Sequence, residues 1–163
     1  MNSFPKRRYH SLAEFSRDVL AILRARAPLA RGTISPAFRE RLMLAVTAVN
    51  ACRYCARFHT QVALAADLHA AEIAQLLAGE FTGAPANEIP ALVYAQHWAE
   101  MNAQPEPALH TQFIAAYGAE TARAIELVLR MIRIGNLAGN TFDYILYRLS
   151  FGRLGLPRPQ PAA

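Results

Sequence analysis

A chain of 163 residues, 53% apolar and 18% charged with a mean hydropathy of +0.11, can bury one hydrophobic core without disulfide or metal staples, and it is more apolar than an average soluble domain. Its longest uncharged apolar stretch, Leu42 to Cys52, is too short for a bilayer and is interrupted by Asn50, which excludes a membrane span of that kind. The net charge of +5 and pI of about 9.7 come from arginines scattered between Arg7 and Arg158 with acids among them, so the balance reads as a solvated basic surface and no nucleic-acid partner is expected.

Ala and Leu abound and no run alternates apolar with polar residues, so the chain is expected to be all-α. Lys6, Arg7 and Arg8 imitate the start of a signal peptide, but Glu14, Arg17, Asp18 and Arg24 interrupt the stretch where its apolar region would lie, and the acids also count against a transit peptide. A cytoplasmic location is the expectation. Ser11 with Glu14 forms a capping box for a first helix, whose stripe of Leu12, Phe15, Val19, Ile22 and Leu23 runs as far as Pro28. A loop from Leu29 to Ile34 contains Gly32. Ser35 and Pro36 then start a helix that carries Glu40 and runs through Leu42, Val46 and Val49 to about Asn50, whose side chain is placed to cap a third helix with Cys52, Cys55 and His59. Whether these two helices break or merge at Asn50 is left open by the sequence. A short helix from about Ala70 to Ala78 ends at Gly79, and a loop with Gly83 and Pro85 divides the chain roughly in half. Further helices are expected from about Pro90 to Ala103, from Pro107 to Tyr117, after Gly118 with Ile125, Val128, Leu129 and Ile132, and last with Phe142, Ile145, Leu146 and Leu149. The whole is expected to be a single domain over residues 1–155 with a Pro-rich tail over 156–163, its surplus apolar surface hidden at a subunit interface.

The only cysteines lie three residues apart, and in a chain taken to be cytosolic that spacing points to redox or metal chemistry. On one helix, at ~100° per residue, Cys55 lies about 60° from Cys52 and His59 about 40° from Cys55, so all three share a face. Residues so spaced have Cα atoms roughly 5 Å apart, a separation a disulfide accepts. A helix N-terminus or a neighbouring imidazolium lowers a thiol pKa from about 8.5. The first aid favours Cys52 and the second favours Cys55, so the attacking sulfur stays undecided on these grounds. Glu40 is too distant in sequence for a local contact; a turn near Asn50 would bring its carboxylate back towards His59 to orient the ring, whereas a mid-helix acid between Arg39 and Arg41 is by itself more often a surface residue.

With Glu40, eleven residues, Cys52-Arg53-Tyr54-Cys55 and then His59, set in Arg41-Leu42, Ala45-Val46 and Asn50-Ala51, the chain resembles the AhpD-like alkylhydroperoxidases of the carboxymuconolactone decarboxylase superfamily. The likeness is specific over Pro36 to Asp67, and Ile125 to Phe142, with Asn136 and Asn140, is similar to the family's later helix pair. The resemblance implies a compact helical bundle of about seven helices that assembles as a homo-oligomer: a dimer, trimer or hexamer. It also implies a thiol-dependent hydroperoxide reductase without a cofactor. Carried onto these positions, Cys55 takes oxygen from a hydroperoxide substrate, Cys52 closes a disulfide, His59 and Glu40 relay the proton, and an external dithiol reductant, in better-known members a lipoylated protein, restores the pair. Where the best-studied peroxidases carry a second histidine just before the later cysteine, this chain has Tyr54, which removes a possible proton carrier.

Other readings of the same residues are a buried cysteine pair in an ordinary core, a zinc site from two thiolates, His59 and Glu40, and a non-peroxidatic redox sensor or ligand-binding helical oligomer. No second cysteine pair supports zinc, so no bound metal is expected. His10, His69, His97 and His110 read as structural or surface residues.

Overall fold

The computed structural model describes residues 4–25 and 33–156, all of whose regular structure is helical: α1 Leu12–Arg24, α2 Pro36–Asn50, α3 Arg53–Ala65, α4 Ala70–Leu77, α5 Ile89–Glu100 and α6 Pro107–Leu149. The expected end of the first helix at Pro28, the loop around Gly32 and the tail beyond residue 156 lie outside the described residues. Among these residues no helix is long and apolar enough to cross a membrane.

The start and stop signals act locally. Ser11 accepts the Glu14 N–H at the head of α1, while the Glu14 carboxylate reaches back to the His10 N–H. Ser35 accepts the Phe38 N–H, and Pro36 occupies the first turn of α2. Gly79, at φ 81°, ends α4: its N–H reaches the Leu76 carbonyl while the Glu80 N–H reaches Gln75, a Schellman arrangement.

α2 is the central element, packed against α3, α4, α5 and α6, and accordingly it is buried on almost every side. Leu42, Leu44 and Val46 of α2 meet Leu92 and Trp98 of α5 and Ile125, Val128 and Leu129 of α6 in one core. α1 packs on α6, held there by Arg133 and Tyr9, which both donate to Asp18 Oδ2. It buries none of its residues fully, and Leu12 and Leu23 remain 78% and 71% exposed.

Two expectations are corrected. The helix after Gly118 and the last helix are one continuous element, so that with the break at Gly118 (φ 76°, ψ 155°) counted inside α6 the described residues form six helices. Gly135 and Gly139 weaken this stretch by about 1 kcal/mol each in propensity, but packing against α2 and α3 overrides that. Asn50 does not cap the third helix. α2 ends at Asn50, Ala51 adopts a left-handed conformation at φ 52°, and Cys52 itself is the cap of α3. The chain therefore breaks between α2 and α3, which turns α3 back along α2.

Candidate active site

Because Cys52 is the N-cap, its sulfur takes the place of the usual capping oxygen and accepts the Cys55 N–H at 3.3 Å. This turn brings the two sulfurs to 2.6 Å from one another. Cys52 is completely buried and Cys55 only partly so. Both are free thiols.

α6 is shaped to receive this turn. Asn136, Gly139, Asn140 and Asp143 fall on one of its faces, at positions i, i+3, i+4 and i+7. A methyl group on Gly139 would lie 2.9 Å from Cys52 Sγ, so only glycine lets the helix approach so closely, whereas one on Gly135 would stand 3.9 Å from Cys55 Sγ. Asn136 accepts from Asn50 Nδ2 at 3.2 Å and donates to Thr47 Oγ1 at 3.1 Å. Asn140 donates to the carbonyls of Asn50 and Arg7. Asn50, the expected helix cap, is instead the α2 end of this buried amide network.

The α2–α3 turn also carries Glu40 to His59: Glu40 Oε2 is 2.7 Å from His59 Nδ1, and Glu40 Oε1 accepts from Arg39 Nε at 3.2 Å. Glu40 is 2% exposed, against the ordinary expectation for an acid between two arginines; its other neighbour, Arg41, pairs with Glu72 and Glu88. With Glu40 as carboxylate, Nδ1 carries the proton and Nε2 is left as the basic nitrogen.

Cys55 and His59 open into an apolar pocket of about 390 Å³ walled by Met43, Tyr54, Phe58, Met131 and Ile132. The Tyr54 hydroxyl is 2.8 Å from Asp143 Oδ1 and also accepts from Arg53; burial and the bond to Asp143 raise the phenol's pKa. Tyr54 thus keeps its proton, and its hydroxyl is tied to Asp143.

The two thiols share a proton unequally. Cys52 is pushed down to about 7, chiefly by the hydrogen bond from the Cys55 thiol, with backbone N–H groups of Cys55 and Tyr54 and the Lys6 charge adding to it against burial. Cys55 is pushed up by that same bond and by burial, with Asn136 opposing. The first negative charge of the pair therefore sits on Cys52, while the sulfur that an incoming molecule meets is Cys55. Access decides which sulfur is attacked or attacks, and acidity decides which leaves most readily.

The four residues singled out from sequence, Glu40, Cys52, Cys55 and His59, thus come together at one site, and Asn136 and Asn140 join it. Asp143, Gly139, Thr47 and Lys6 were not foreseen. The only signal for the first two was the run of small and polar residues, Gly135-Asn136 and Gly139-Asn140 to Asp143, inside an otherwise apolar helix. His110 pairs with Glu126 at a separate surface position. Among the described residues no three His, Cys, Asp or Glu side chains are grouped as metal ligands.

The model of the carboxymuconolactone decarboxylase family matches residues 14–101, a span that contains Glu40, both cysteines and His59 and stops before α6. Comparison with curated proteins and with solved structures gives no match. With more than half of its length in that match, the chain belongs to the carboxymuconolactone decarboxylase family.

Proposed function

We propose that this protein is a thiol-dependent hydroperoxide reductase, an AhpD-like member of its family. The observation that carries the reading is that Cys55, the accessible member of a sulfur pair 2.6 Å apart, shares an apolar pocket with a His59 oriented by Glu40. A decarboxylase has no use for two sulfurs at bonding reach.

In the cycle, His59 Nε2 takes the Cys55 proton as the peroxide arrives, so that Cys55 becomes a thiolate while Cys52 keeps its own charge. The Cys55 thiolate attacks the terminal oxygen of ROOH, the O–O bond breaks, and the alkoxide takes a proton from His59 and departs as ROH. Cys55 is now a sulfenic acid. Cys52 thiolate attacks its sulfur, hydroxide leaves as water with a second proton, and the disulfide closes. A thiolate of an external dithiol attacks Cys55 and Cys52 leaves as the more stable thiolate; the second thiol then releases Cys55 and closes the reductant's own disulfide. The sum is ROOH plus dithiol giving ROH, water and disulfide. A lipoylated protein is the reductant in better-known relatives and is the one to try first here. The exposed apolar residues Leu12 and Leu23 of α1 and Phe142, Ile145 and Leu149 of α6 support a homo-oligomer.

The test is consumption of an organic hydroperoxide with dihydrolipoamide as reductant. Many equivalents per chain, lost in Cys55→Ser, are expected. A single equivalent would favour the redox-sensor reading instead.

A further inference from the structure

Asp143 is fully buried, and three donors from two parts of the chain converge on it: Lys6 Nζ at 2.8 Å on Oδ2, with Arg53 Nη2 at 2.7 Å and the Tyr54 hydroxyl at 2.8 Å on Oδ1. Arg53 and Tyr54 are the two residues between the cysteines. Lys6 belongs to the segment before α1, which is fastened along α6 by Asn140 on the Arg7 carbonyl and by the Tyr9 N–H on Thr141, so that the Lys6 side chain is only 7% exposed. Both Lys6 and Asp143 lie outside the span of the family match.

We propose that Lys6, anchored by Asp143, is a positioning residue for the dithiol: with Arg53 it leaves the head of the cysteine-bearing helix with a net positive charge that favours thiolate on Cys52 and so eases opening of the Cys52–Cys55 disulfide. Two cations and one anion form the cluster, and their surplus charge adds to the positive end of α3. After the Cys55 hydrogen bond and the backbone N–H groups, the charge on Lys6 is a further group that holds the Cys52 thiol at about 7. Of the other charged groups on the elements around Cys52, Glu40 is engaged with Arg39 and His59, Arg41 with Glu72 and Glu88, Arg7 with the Ala99 and Glu100 carbonyls, and Arg133 with Asp18.

The inference rests on the dithiol reading but not on peroxide as oxidant, and its test uses none. Reduced Cys55→Ser protein, whose serine hydroxyl keeps a donor to Cys52, is titrated by ultraviolet thiolate absorbance alone and with Lys6→Met, Lys6→Arg or Asp143→Asn added. The same Lys6 and Asp143 variants with both cysteines intact are equilibrated with dithiothreitol. Lys6→Met is expected to raise the titration midpoint by roughly one unit and to shift the equilibrium towards disulfide by roughly fivefold at about pH 8, and Lys6→Arg to restore both. Asp143→Asn, which removes the negative charge and keeps one oxygen to accept from the cluster, is expected to move the midpoint the opposite way; a merely structural cluster would move it in the same direction as Lys6→Met. An unmoved midpoint in Lys6→Met, or equal signs for the two substitutions, overturns the inference. If Asp143→Asn does not fold, the Lys6→Met and Lys6→Arg pair decides alone. A Lys6-dependent midpoint in a protein without peroxidase turnover would sink the proposed function and leave this inference standing, and turnover with a Lys6-independent midpoint would do the reverse.

Discussion

Replacing Gly139 by alanine, with Gly135→Ala beside it, asks whether α6 is built around the cysteine pair. Both glycines lie inside the same helix, four residues apart, so each gains about 1 kcal/mol of helix propensity from the substitution. Their surroundings differ. The new methyl at Gly135 meets Cys55 Sγ at 3.9 Å, an ordinary contact, whereas at Gly139 it meets Cys52 Sγ at 2.9 Å and the Tyr54 ring at 3.4 Å. Cys52 cannot swing aside without giving up its cap on the Cys55 N–H, and Tyr54 is held by Asp143. Overpacking of this kind costs about 1–3 kcal/mol. Gly135→Ala is therefore expected to be neutral or stabilising by up to about 1 kcal/mol, and Gly139→Ala to be destabilising by up to about 2 kcal/mol after the propensity gain is offset. The assay is thermal unfolding of the reduced proteins at one fixed concentration, where 1 kcal/mol moves Tm by roughly 2–4 °C for a chain of this size. Equal stabilisation by both substitutions would refute the close approach of α6 to Cys52.

Further expectations concern protons. In reduced protein Cys52 has a depressed pKa, so between about pH 7 and 8.5 the unfolded chain binds more protons than the folded one, and stability rises with pH across that window and is lost as pH falls through about 7. Above it the raised pKa of Cys55 reverses the trend; denaturant midpoints of reduced wild type and Cys52→Ser against pH check this, and a flat difference between them contradicts it. His59→Ala is expected to move the pH profile of Cys55 alkylation upward, and an unchanged profile removes His59 from the relay. Glu40→Gln keeps a side chain that can bond Nδ1 but lacks the charge that stabilises a protonated ring. It is expected to lower kcat by roughly tenfold or more with little effect on KM, whereas a rise in KM alone would assign Glu40 to packing.

Much of this was legible because the signals are local. Ser11 with Glu14, Ser35 with Pro36, and Gly79 act within one turn, and the spacing of Cys52, Cys55 and His59 carries over to three dimensions with little help. Asn50 was misread because its amide has two possible uses, a cap one turn ahead or a bond to Asn136 eighty-six residues on, and only packing chooses between them. The break expected before Phe142 fails for a related reason: Gly135 and Gly139 look like weak points of a helix, and their missing side chains are what lets it pass the sulfurs. Glu40 between two arginines looks like surface in sequence, yet Arg41 is drawn off by Glu72 and Glu88, leaving Glu40 to His59 in the interior. Asp143 and Lys6, 137 residues apart, carried no sequence signal because their part arises only from convergence on the turn between the cysteines.

The attack of Cys55 on a hydroperoxide is tested most directly by trapping its first product. Cys52→Ser protein is treated with one equivalent of an organic hydroperoxide and then dimedone, and the labelled residue is located by mass spectrometry. A dimedone adduct on Cys55, with none on Cys52 in the matching Cys55→Ser protein, is the expected result; no adduct on Cys55, or equal labelling of the two cysteines, contradicts it.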